Sequence, residues 1–437
     1  MLKNFLGSSF VVAMVFIGSV FIVESLAQRG GVFRGSRDHD AIRYSTGATD
    51  NAIVSLNREL LAGVLRFDYD EKSGYLQSVL KGLDIPVESQ VTVFSPTSNQ
   101  ATLIESSNPR AIYFGDDVSI GWVRGAEFLE VAAHDVQQGV VFYTLRQSKT
   151  ETPQFVREDQ CLACHLTWDT LGVPGLQVIS TFPLTADPNA YATGFISDHR
   201  TSLRDRWGGW YVTGKHKPFL HMGNVEVTDV EDADATVGTI RTEMSSLAGL
   251  FDLDGFLSMH SDVVALMVLE HQVHMTNLIT RIGWEARRLL YRLDAGDIPS
   301  DSFQPDALLH EIAVELVDYL LFVDEAQLVV SLEGSSDFSR IFSERGPRDR
   351  MGRSLRDFDL QTRLMRYPCS YMIYSTAFDA LPTLAKDAIH ERLWAVLSGR
   401  EKQAPYNTLT FMDRQAIVEI LLGTKSDLPS YFRAITS

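Results

Sequence analysis

The chain is predicted to be an α+β protein, with a β-containing, loop-rich N-terminal part and a mainly α-helical C-terminal part. Three observations predict it. Residues 90–150 hold short β-prone runs, with "QVTVFS" alternating and "PRAIYFG", "SIGWVRG" and "GVVFYTLRQ" following between turn residues. Residues 153–225 are rich in Gly and Pro, and "WGGWYVTG" suggests a strand entered through a tight glycine turn. From about residue 258 the apolar period becomes helical.

Each element follows from local signals. A short helix is expected near Ala52. Ser261 can cap a long helix running to about Leu293, with Val264, Met267, His271, His274, Leu278 and Ile282 on one stripe and Met275 beside it. A second helix is expected behind Pro305 to about Ser331, a third over 375–397 and a fourth over 413–422. Between the second and third lies an Arg-rich stretch, 340–366, with eight arginines against four acids. Internal salt bridges closing an irregular segment are its plain explanation; pairing with an acidic cofactor group or a partner is the alternative. "FDLDGFL" (251–257) has the start of a calcium loop, but its twelfth place is Val263 rather than Glu, so a turn is expected.

With 437 residues, 45% apolar and 22% charged, the chain has ordinary globular composition and room for two or three units. The expected division is a signal peptide over 1–27, a flexible leader over 28–51, a mixed β and loop part over 52–257 and a helical part over 258–437. The formal charge of -17 argues against nucleic acid and fits docking to a basic partner. Lys3, the apolar run Phe5–Val23 and the small residues Ser25 and Ala27 read as an export signal cleaved after Ala27. An uncleaved anchor over 5–23 is the alternative, and no later run is long enough to span a bilayer. The body of the chain is therefore expected outside the bacterial cytoplasm.

The most informative stretch is "DQCLACHLTWD" (159–169), which holds two of only three cysteines. Paired cysteines in an oxidising compartment usually form disulfides, yet so short a loop gains little from closure. The spacing Cys-x-x-Cys-His has another use. Cys161 and Cys164 can each add to a vinyl group of one haem, and His165 can then ligate the iron as an axial ligand. The competing explanations are a redox dithiol, which would follow a buried strand that "QFVREDQ" is not, and zinc with Cys369 as a further ligand.

On these residues the chain resembles the large exported bacterial monohaem c-type cytochromes. The segments Phe155 to "VPG" (173–175), "RWGGWYVTG" (206–214) and "HMGN" (221–224) add to the likeness. The resemblance implies one covalent haem c and a periplasmic electron-transfer role with a redox partner. It also implies a second axial ligand. Met222, 57 residues after His165, or its neighbour His221 is the first candidate, and His271 is the alternative. Arg206, Trp207 and Trp210, with Arg204 nearby, are candidates for the haem surroundings, since propionates need Arg or Trp N–H donors. Cys369 is expected to be a buried free thiol. The length of the chain leaves room for a haem enzyme, peroxidase-like or substrate-oxidising, or a haem-based sensor with an open sixth position.

Overall fold

The computed structural model describes residues 33–181, 194–226, 240–297 and 307–435. The expected signal segment, 1–27, lies outside them. The α+β expectation holds, with the helices concentrated in the C-terminal part.

A helical turn over Arg34–Arg37 comes first, followed by two helices, α1 (Ala52–Leu61) and α2 (Leu76–Gly82). Asn51 caps α1, accepting from the backbone N–H of Ile53 and Val54. The main sheet follows as β1 (Val91–Val93), β2 (Arg110–Phe114), β3 (Val118–Trp122), β4 (Phe128–Asp135), β5 (Gly139–Arg146) and β6 (Phe155–Arg157). These form an antiparallel meander, β6-β5-β4-β3-β2-β1. After a one-turn helix, α3 (Leu162–His165), and a small hairpin, β7 (Ile179–Ser180) with β8 (Phe195–Ile196), strand β9 (Trp210–Tyr211) joins the sheet beside β1. The turn into β9 has Gly209 at φ +82°, a left-handed conformation that favours glycine.

The period of two gives the sheet different faces. Tyr113, Ile120, Leu129, Val141 and Leu145 pack in one core with Ile53 and Leu56 of α1 and Leu76 and Val79 of α2. The other face carries Arg110, Ile112, Ser119, Gly121, Glu130, Ala132 and Phe142, all of which line a cavity. Over it lies the helical part, with α4 (Val263–Asp294), α5 (Ala307–Leu320), α6 (Phe338–Glu344), α7 (Thr376–Asp379), α8 (Thr383–Leu397) and α9 (Phe411–Thr424). Strands β10 (Gly214–His216) and β11 (Leu332–Gly334) tie the two parts together.

Several expectations change in detail. The stretch read as a leader is packed from Phe33 on: Ile42 and Tyr44 are fully buried, and the Tyr44 hydroxyl donates to the Val140 carbonyl at 3.0 Å. Aromatic anchoring there outweighs the Gly and Arg content. The expected boundary near 257 is no break in packing, because Val91, Val93 and Trp210 share a core with α4 and the helices after it. The long helix is buried on most of its circumference rather than along one stripe, as befits a central helix. Asp262, not Ser261, caps it. The second helix ends at Leu320, and Pro382 divides the third, since proline cannot continue a helix.

The Arg-rich stretch closes on itself and its neighbours. Arg345 pairs with Asp84, Arg348 with Asp357, Arg353 with Asp349 and Glu419, Arg356 with Asp116 and Arg363 with Asp413. Arg356 also lies between the rings of Phe342 and Tyr371, at 4.6 and 4.5 Å. Among the described residues, no helix is long and apolar enough to cross a membrane.

Asp262 holds the entry to α4. Its carboxylate accepts from the N–H of Val264 and Ala265 and from the N–H and hydroxyl of Ser336. Asp262→Ala is expected to cost about 2–3 kcal/mol, a lost cap plus buried donors left unpaired. The urea midpoint of the variant checks this, and an unchanged midpoint would contradict it.

Candidate haem-binding cavity

A single helical turn solves the geometry of the motif. In α3 the His165 N–H donates to the Cys161 carbonyl at 3.0 Å and the Cys164 N–H to the same oxygen at 3.2 Å. Residues i, i+3 and i+4 share a helix face. Cys161, Cys164 and His165 therefore point together, and all three line one cavity of about 230 Å³. Its other walls are the sheet face, Leu176–Val178, Trp210, the loop 96–99 and, from α4, Leu269 and Val273.

His165 is oriented from behind. Its Nδ1 lies 2.9 Å from the Gly175 carbonyl and so carries the proton, leaving the Nε2 lone pair free. Phe142 packs against the ring at a centroid distance of 4.8 Å. The loop that supplies the carbonyl is itself held by α4. Asn277 Oδ1 accepts from the Leu176 N–H at 3.2 Å and Asn277 Nδ2 donates to the Leu176 carbonyl at 2.8 Å. A Cβ on Gly175 would meet Asn277 Oδ1 at 2.1 Å, so only glycine lets the loop approach this closely.

Burial holds the His165 imidazole down to about 4, and Arg110 nearby adds to this. The ring is neutral at physiological pH, the form that ligates metals. Burial pushes the Cys161 thiol up to about 12, with Glu130 and Glu158 adding to it, and raises Cys164 in the same way. Neither cysteine is joined in a disulfide.

The donor set fits a haem. Two thiols and one imidazole with a free nitrogen face apolar walls, and a guanidinium stands among them. Cys161, Cys164 and His165 would hold the group.

The structure draws the other candidates apart. Trp210 lines the cavity, its indole N–H donating to the Ile179 carbonyl at 2.8 Å. Arg206 and Trp207 do not line it. Arg206 is spent elsewhere, on the Thr201 and His199 carbonyls at 2.7 Å each and on Glu270 at 3.2 Å, with both charged groups buried. Trp207 is fully buried against Phe219 and His221. Neither reaches the cavity to meet a propionate. Nor do Met222 and His221 line the cavity. Met222 sits by Ser180, and His221 Nδ1 accepts from the Gly223 N–H at 3.1 Å. His271 is engaged at both nitrogens, with His199 Nδ1 at 2.8 Å and Ser370 Oγ at 2.7 Å, and it stacks on Phe322 at 4.4 Å. Cys369 is buried in the helical core and is not among the lining residues. Among the described residues, no group of three or more His, Cys, Asp or Glu stands ready to hold a metal ion.

Arg110 and Glu130 are charged residues of the cavity that sequence reasoning missed. They pair at 2.8 Å inside the cavity. The only hint was a charge in each of two otherwise β-prone runs, which any exposed strand face also shows.

Comparison with protein-family models, curated proteins and solved structures finds no match to this chain.

Two outcomes follow. Asn277→Ala is expected to lower stability by about 2–3 kcal/mol, because both Leu176 backbone groups lose their partner; equilibrium urea unfolding checks it. His271 and His274 are buried, and burial lowers them to about 3 and about 4. The unfolded chain takes up these protons below about 6.5 while the folded protein refuses them. Their contribution is therefore complete above about 6.5 and is lost as pH falls toward 4, at up to about 1.4 kcal/mol per pH unit for each group. Urea midpoints should fall from pH 7 to pH 5, and a flat profile would contradict the burial argument.

Proposed function

We propose that this chain carries one haem c, joined by thioethers to Cys161 and Cys164 with His165 on the iron, and serves as an exported electron-transfer protein of the bacterial periplasm. The carrying observation is the convergence of two thiols and an imidazole with a free Nε2 on one cavity. When bound, the haem supplies a one-electron Fe(II)/Fe(III) couple. The chain's own residues orient the imidazole through Gly175 and exclude water with Leu269, Val273, Val178 and Ile112. A dithiol oxidoreductase is the weaker reading, since a thiol held near about 12 is a poor attacking group. The acidic charge of -17 fits a basic redox partner. Residues 5–23 would anchor the protein to the inner membrane if they are retained.

One observation favours a second reading, a haem enzyme or sensor with an open sixth position. Among the described residues that line the cavity, there is no methionine and no second histidine.

The test is maturation in a host with the thioether-forming machinery. The purified protein is expected to be coloured and to keep its pigment in acidic acetone; colourless material, or pigment that extracts, rules out covalent attachment. A low-spin ferrous spectrum indifferent to carbon monoxide supports the carrier. A high-spin form that binds carbon monoxide supports the second reading.

A further inference from the structure

Arg110 is placed inside the cavity by an arrangement that spans three strands. Its guanidinium, from β2, reaches diagonally across Gly121 on β3 to the carboxylate of Glu130 on β4, at 2.8 Å. Gly121 makes the crossing feasible. A Cβ there would meet Arg110 Nη2 at 2.5 Å and Nε at 2.6 Å. All three residues line the cavity that holds Cys161, Cys164 and His165.

The guanidinium is not used up. It is mostly shielded, with 21% of its side chain exposed, and its buried Nε has no hydrogen-bond partner among the described residues. A guanidinium has five N–H donors in a planar fork suited to carboxylates. Glu130 faces the guanidinium as an ion pair, Nη2 to Oε2 at 2.8 Å, without an aligned hydrogen bond. A cavity walled by Leu269, Val273, Ile112 and Trp210 gives a partly desolvated charge strong reason to take a second acid group.

We infer that Arg110 is the carboxylate-binding residue of this cavity and takes a haem propionate, with Glu130 positioning its guanidinium and Gly121 leaving it room. This rests on the haem c reading above.

The test uses matured full-length protein and two measurements, the reduction potential and the propionate bending bands in the resonance Raman spectrum. Arg110→Gln is expected to keep its pigment, because the thioethers hold the haem. Its potential should fall, since a positive charge next to the iron's surroundings is lost, and its propionate bands should shift. Arg146→Gln removes the same charge from an exposed place on β5, where 59% of the side chain is accessible, and should change neither. Gly121→Ala should displace the guanidinium and shift the bands in the same direction as Arg110→Gln. It also decides the matter if Arg110→Gln fails to mature. Pigmented Arg110→Gln with the potential and bands of the parent overturns the assignment and leaves haem attachment standing, as does an equal shift in Arg146→Gln. A parent protein that matures colourless is the separate failure of the haem reading, seen before any variant is made.

Discussion

The imidazole of His165 is held by the Gly175 carbonyl, and the loop that offers this carbonyl is held by Asn277 on the central helix. That chain of hydrogen bonds couples a one-turn helix, α3, to the long central helix, most of whose residues are buried. A turn of four residues has almost no stability of its own. Its geometry must be imposed by tertiary contacts, and α4 imposes it. The same helix walls the cavity with Leu269 and Val273, so one element both aims the ligand and keeps its surroundings apolar.

The burial of α4 comes with an unusual load of polar groups. Glu270, His271, His274 and Asn277 all lie on it and are buried. Each is matched. Glu270 takes the Ser197 hydroxyl at 2.6 Å and Arg206 at 3.2 Å, and His271 pairs with His199 and Ser370. The two facing Nδ1 atoms of His199 and His271 require one donor and one acceptor, so the rings cannot both be protonated without breaking the pair. Buried networks of this kind add little net energy but tolerate few alternatives, because an unpaired buried charge is costly. They fix where α4 sits relative to the segment 197–206, and hence where the cavity walls stand.

Much of the fold is legible along the chain. Alternation marks the strands over 90–150, the 3.6 period marks α4, and the balance of Arg and acid over 340–366 foretells its salt bridges. The errors share a cause. Ile42 and Tyr44 are anchored by the sheet, in contacts such as Tyr44 with Val140, 96 residues away, which no local pattern reports. Met222 and His221 sit at a suitable separation from His165, yet separation along the chain carries no direction in space. His271 lies on a helix that passes the cavity but faces away from it, toward His199 and Tyr319.

What the sequence determined unaided is local: two thiols and an imidazole at i, i+3 and i+4 must share one side of a single turn, because the helix period brings them there. What only the tertiary structure decided is what that side faces. Asn277 lies 101 residues from Leu176, and Arg110 reaches Glu130 across an intervening strand whose glycine leaves the space. Such pairings depend on sheet register and on how a helix is seated over it, and these are properties of the packed chain rather than of any stretch within it.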